Sequence, residues 1–190
     1  MALPMLGMPK SKLKKKTSTL LVLLLVGLLL LINIVLIVTL TKQPAMPSLE
    51  GFEKLELSVQ PNSLILSQDC LGLRIFVDRD QASSIAAGLA KERGPRPGTH
   101  DLFADLLSVA RAAITVKITE LRNDTFYATL AVGLRGLGLF ELDARPSDAI
   151  AIAVRLDSPI WTNSSLLKRY GIDLCAQQRP ENQSEVLFRA

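Results

Sequence analysis

Histidine is almost missing: the 190 residues contain one, His100. A mechanism that needs two histidines within one subunit is therefore excluded. Cysteine is nearly as scarce, and Cys70 and Cys175 lack zinc-type spacing. Outside a reducing compartment they can form one disulfide, and two free thiols are the competing reading. No G-x-S-x-G turn occurs, so Ser147, His100 and an aspartate make only a weak serine-hydrolase set. Acidic residues are absent before Glu50.

That last absence changes the meaning of the net charge. The whole chain carries a formal +4 and a pI near 9.2, which suggests a nucleic-acid partner. Six of its 22 Lys+Arg residues, however, lie at or before position 42. Residues 43–190 hold 16 basic against 18 acidic residues, a net of about −2. Any nucleic-acid surface must then be a local patch. Arg74, Arg79, Arg93, Arg96, Arg145 and Arg155 are its candidates.

The early lysines, Lys10 to Lys16, precede an uncharged run rich in Leu, Val and Ile from Thr17 to Thr41. As a helix, about 25 residues extend roughly 37 Å, enough to cross a bilayer core of ~30 Å. A cleaved signal peptide would have a shorter apolar stretch and a small-x-small site, and Thr41 to Ala45 is a poor one. The sequence therefore predicts a basic cytoplasmic segment over 1–16 and a single-pass transmembrane helix over 17–41. The positive-inside rule places everything after it outside the cytoplasm. Pro44, Pro47 and Gly51 mark residues 42–53 as a linker. A domain follows over 54–176, then a flexible polar tail over 177–190.

Within the domain, period-two alternation marks strands at Leu55–Val59, Leu64–Leu66, Leu73–Val77, Ile114–Ile118 and Phe126–Val132. Helical spacing marks Asp80–Lys91 and a helix from His100 to about Ala110. Thr99 is its expected cap, and Leu102, Phe103, Leu106 and Leu107 its inner face. Arg122 to Thr125 reads as a hairpin turn. Pro159–Thr162 reads as a short strand, and Ser164–Tyr170 as a helix stopped by Gly171. Leu73–Leu89 aligns without a gap on Gly138–Val154, which suggests a duplicated three-strands-then-helix unit. The expected class is α+β, a compact domain with a mixed or antiparallel sheet and packed helices. Asn123, Asn163 and Asn182 sit in Asn-x-Ser/Thr sequons, though turn chemistry already accounts for Asn123.

The most informative stretch is Leu142 to Leu156. Phe140 and Leu142 alternate with Glu141 and Asp143, as in a half-buried strand. Pro146 suits the first helical position. Ser147 and Asp148 then place a hydroxyl and a carboxylate in the first turn, where free N–H groups and the helix dipole favour them. The helix that follows is apolar almost all round and should be deeply buried. Asp143 and Glu141 share one strand face, as paired ligands for Mg²⁺ or Mn²⁺ would, or they form a solvated face. Arg145 can hold a phosphate or pair with Asp148. His100 can act on a water or ligate a metal, with Asp101 either assisting or complementing the helix dipole.

Three blocks carry a resemblance: Arg93–Asp101 (RGPRPGTHD), Ile118–Ala128 (ITELRNDTFYA) and Asp143–Arg155 (DARPSDAIAIAVR). Together they resemble the bifunctional nuclease family, over roughly residues 55–175. The resemblance implies a compact α+β domain, often dimeric, that hydrolyses phosphodiester bonds in DNA or RNA. It points to His100, Asp101, Asp143, Arg145 and Asp148 as catalytic candidates, and to Arg93, Arg96 and Ser147 as substrate contacts. The alternative is a non-catalytic module that binds a ligand or partner at the same turn. Catalysis carries a structural demand: the helix start at Thr99 and the turn at Asp143–Asp148 must face one cleft.

Overall fold

A computed structural model describes residues 10–41 and 43–176. The tail expected over 177–190, the sequon at Asn182 and the first nine residues lie outside the described residues. The described residues divide into two units, one up to residue 43 and one from residue 44 onward.

In the first unit one helix, α1 (Lys10–Thr41), includes the span Leu20–Thr39, with mean hydropathy 3.4. Between Leu20 and Val38 the side chains are apolar on every face but for Asn33, and this span is long and apolar enough to cross a membrane. Asn33, a polar residue within that span, donates its amide to the Leu29 carbonyl at 2.8 Å.

The second unit opens with an antiparallel meander, β1 (Phe52–Gln60), β2 (Ser63–Gln68) and β3 (Leu71–Phe76), followed by α2 (Arg79–Leu89). After α3 (Thr99–Val109) the pattern returns as β4 (Ala113–Arg122), β5 (Thr125–Leu134), β6 (Gly138–Ala144) and α4 (Pro146–Arg155). The duplicated unit read from the sequence is thus the topology of the domain, with α3 inserted between the copies. β7 (Ile160–Asn163) joins the halves, antiparallel to β1 and parallel to β4. After α5 (Ser164–Tyr170), β8 (Ile172–Asp173) pairs with β3, giving the order β6-β5-β4-β7-β1-β2-β3-β8. The β4–β5 turn has φ of +48° and +57° at Asn123 and Asp124, the mirror-image turn that suits strand twist.

α4 is the centre of the packing. Every residue from Pro146 to Val154 except Asp148 is buried, against α2, α3, β4 and β5. A helix this apolar is stable only with partners on all sides. Beside β8, Cys70 and Cys175 form a disulfide with a Cα–Cα distance of 5.2 Å, which settles the alternative left open by the sequence.

Four local expectations need correction. β6 is an edge strand, so Phe140 and Leu142 remain 45% and 44% exposed instead of half-buried on a covered face. α3 is capped by Gly98, with Thr99 as its first helical residue. Its inner face is Asp101, Ala104 and Leu107, while Leu102 and Leu106 face outward, because Asp101 is drawn inward to an arginine on α4. Gly171 ends α5 at φ −68°, so it is not a left-handed cap. A Cβ there would run into the Leu167 carbonyl oxygen, so close approach is what requires glycine.

Candidate functional site

Pro146 restricts the residue before it to extended backbone. Arg145 accordingly caps α4 at φ −64°, ψ 142°, and its side chain folds back over the first turn. Its Nε and Nη2 donate to the Asp148 carboxylate at 2.7 and 3.0 Å, a two-pronged pair that leaves Nη1 for another ligand. The expected hydroxyl cap is absent: Ser147 is buried at the second helical position and makes no capping bond. Substitution of Ser147 therefore removes no cap.

His100, in the first turn of α3, joins the three helices. Its Nε2 lies 3.3 Å from Asp148 Oδ1 and its Nδ1 lies 3.0 Å from Ser84 Oγ on α2. An ionised carboxylate only accepts, so Nε2 carries a proton toward Asp148. In the neutral ring Nδ1 then accepts from the Ser84 hydroxyl. Beneath this line, Arg155 Nε donates to Asp101 Oδ1 at 2.6 Å. Arg155 Nη1 donates to the carbonyls of Ser84 at 3.1 Å and Ala151 at 2.8 Å. Asp101 Oδ2 accepts the Gly98 N–H at 2.8 Å. Both charged side chains of this lower pair are only 9% exposed.

The electrostatics separate the carboxylates by role. The hydrogen bond from Arg145 holds Asp148 below the ordinary carboxylate range; burial opposes it, and His100 adds to it. The hydrogen bond from Arg155, then the Gly98 N–H, lowers Asp101 in the same sense. Both are therefore fixed anions and poor proton acceptors. Asp143 is exposed and has no ion-pair partner among the described residues.

A cavity of about 530 Å³ brings together His100, Phe103, Leu142, Asp143, Arg145 and Asp148. Thr99 also borders it, so the helix start and the turn do face one cleft. Arg145 is shared with a second cavity of about 310 Å³, bordered by Phe76, Gln81, Asp124, Phe126 and Ser147.

Other candidates lie elsewhere. Asp101 does not line the cleft, because its ion pair buries it below. Arg93 is held by Asp105 through bonds of 3.0 and 2.7 Å, and Arg96 is exposed in its loop away from both cavities. Glu141 is paired with Lys117 of β4. No cluster of three or more metal-ligating side chains exists among the described residues. With Glu141 and Asp148 both neutralised by cations, the donor set does not fit a preformed Mg²⁺ or Mn²⁺ site. Of the six arginines considered for a basic patch, Arg145 alone borders either cavity.

Ser84 was missed as a site residue, and Arg155 was considered only for a basic patch. Arg155 had a signal: it lies seven positions after Asp148, two turns along the same helix face. Ser84 had none, since nothing in its helix distinguishes it from Ser83.

The bifunctional nuclease domain matches residues 64–174, more than half of the chain. An uncharacterized protein of Mycobacterium tuberculosis is 35% identical over 101 residues, covering 53% of this chain and 59% of that protein. Bifunctional nuclease 1 of Oryza sativa is 31% identical over 103 residues, covering 53% of this chain and 31% of the rice protein. A bifunctional nuclease of Oryza minuta matches to the same extent. The chain thus spans well under two thirds of these relatives.

The buried pair yields a stability test. Asp101→Asn leaves Arg155 buried without its counter-charge and should cost about 3 kcal/mol at neutral pH. Asp101 is lowered in the fold, so its stabilisation is complete above the ordinary carboxylate value near ~4. It is lost as pH falls through the lower folded value. Urea unfolding of both proteins should show the gap narrowing below about pH 4, and a gap independent of pH contradicts the assignment.

Proposed function

The chain belongs to the bifunctional nuclease domain family, and on that footing we propose that it hydrolyses phosphodiester bonds of DNA or RNA in the His100 cleft. The observation that carries this reading is the convergence of an imidazole, an unpaired carboxylate and a guanidinium on one cavity. A phosphate oxygen binds Arg145 Nη1, which offsets the charge that builds on phosphorus. Asp143 takes a proton from the attacking water as the new P–O bond forms. For this step His100 carries a proton on both ring nitrogens, turns its Nε2–H from Asp148 to the departing oxygen and gives up that proton as the old P–O bond breaks, keeping the Nδ1 proton toward Ser84. The products are a phosphate monoester and a hydroxyl.

A binding module without catalysis is the second reading. It is favoured by the engagement of Arg93 and Arg155 in ion pairs, which leaves little basic surface.

We further propose that α1 crosses the membrane once, with its lysines in the cytoplasm and the domain outside. The Cys70–Cys175 disulfide supports the oxidising side. The substrate is then nucleic acid met outside the cytoplasm.

Catalysis is tested by incubating the full chain, in detergent, with single- and double-stranded DNA and RNA in Mg²⁺, Mn²⁺ or EDTA. His100→Ala and Asp143→Asn should each lower cleavage by roughly 10²–10⁴-fold, with melting nearly unchanged. No cleavage by the unaltered protein favours the binding module, and wild-type rates in both variants put the chemistry outside the His100 cleft. Protease added to intact cells or spheroplasts should digest the domain. Protection until the membrane is permeabilised reverses the orientation.

A further inference from the structure

We infer that the second cavity is a subsite for one unpaired nucleobase, so that the domain takes single-stranded nucleic acid in preference to duplex. This rests on the phosphodiesterase reading for the kind of ligand, and on a separate set of residues for the geometry. The ends of β3 and the β4–β5 hairpin meet the start of α4 around this cavity. Its wall includes Phe76, which is 80% exposed at the last position of β3. Phe126, half-buried, is a second ring on the same cavity.

Apolar rings presented to solvent beside a cation suit a ligand with an aromatic face and a negative charge. Arg145 borders both cavities. A phosphate bound to it therefore has the cleft of His100 on one side and Phe76 on the other. The nucleoside on one side of the scissile phosphate then reaches the aromatic wall.

The polar groups of the cavity match a base edge. Gln81 Oε1 accepts the Asp78 N–H at 3.0 Å, which fixes the amide. Among the described residues its amino group makes no hydrogen bond, so it is available to a base carbonyl. The Asp124 carboxylate accepts from an exocyclic amine. A volume of about 310 Å³ is at the small end of ligand pockets, which run to roughly 1,000 Å³, and suits one base more than a base pair. A paired base is stacked on both faces within a helix and cannot offer one to Phe76. Arg74, exposed two residues earlier on the same face of β3, offers a cation for the next phosphate.

The test is binding of the full chain in detergent to a labelled oligonucleotide with cleavage-resistant phosphorothioate linkages, as a single strand and as a hairpin duplex. The unaltered protein should bind the single strand more tightly. Phe76→Ala should weaken that binding by about 5- to 100-fold and leave duplex binding unchanged. Phe76→Trp, which keeps an aromatic face, should retain it. Equal affinity for single strand and duplex, or an unchanged affinity in Phe76→Ala, overturns the subsite. Cleavage of ordinary oligonucleotides, followed in parallel, separates the two ideas. Cleavage without Phe76-dependent binding removes the subsite alone. Phe76-dependent binding without cleavage keeps the subsite and removes the hydrolase.

Discussion

A buried guanidinium ties the domain together at the point where its helices meet. Arg155, near the end of α4, reaches Asp101 of α3 and the Ser84 carbonyl of α2. Such a charge is tolerated in a packed interior only with a counter-ion and with its remaining donors satisfied. Here Asp101, itself held by the Gly98 N–H, and two carbonyls meet that condition. The geometry of the cleft follows from this. α3 is turned so that Asp101 points inward, and the residue before it, His100, is carried to the rim between Ser84 and Asp148. The same turn exposes Leu102 and Leu106.

Three aspartates do three different things, and their neighbours decide which. Asp101 meets a buried arginine and acts on the fold. Asp148 meets an exposed arginine and the imidazole, so it stays ionised and orients the ring. Asp143 is exposed on the cleft and pairs with no cation among the described residues. Arg145 is 70% exposed on its side chain, and its pairing with Asp148 leaves it open to an outside anion.

Much of this was legible in the sequence. Period-two and helical spacing located every long element, and the alignment of Leu73–Leu89 on Gly138–Val154 disclosed the duplicated topology. Pro146 and the apolar run after it marked the buried helix. Less was legible where one residue type serves several physical ends. The pattern of α3 suggested Leu102 and Leu106 as its inner face, because periodicity weighs apolar side chains and does not anticipate a charge buried by its partner. Phe140 and Leu142 alternate correctly, yet alternation does not reveal that a strand lies at a sheet edge. Glu141 looked like half of a metal site, because Lys117 is far away in sequence and adjacent only after β4, β5 and β6 pair. Ser84 carried no signal at all.

Because the chain has one histidine, its imidazole can be observed alone. ¹⁵N NMR of the ¹⁵N-histidine-labelled full chain in detergent, followed through the imidazole titration, reads the protonation of each ring nitrogen directly. The account predicts that the neutral ring keeps its proton on Nε2, toward Asp148, with Nδ1 accepting from Ser84, and that Asp148→Asn weakens this preference. A neutral ring protonated on Nδ1, or a ring indifferent to Asp148→Asn, would contradict the claim that Asp148 sets the tautomer and orientation of His100 at the cleft.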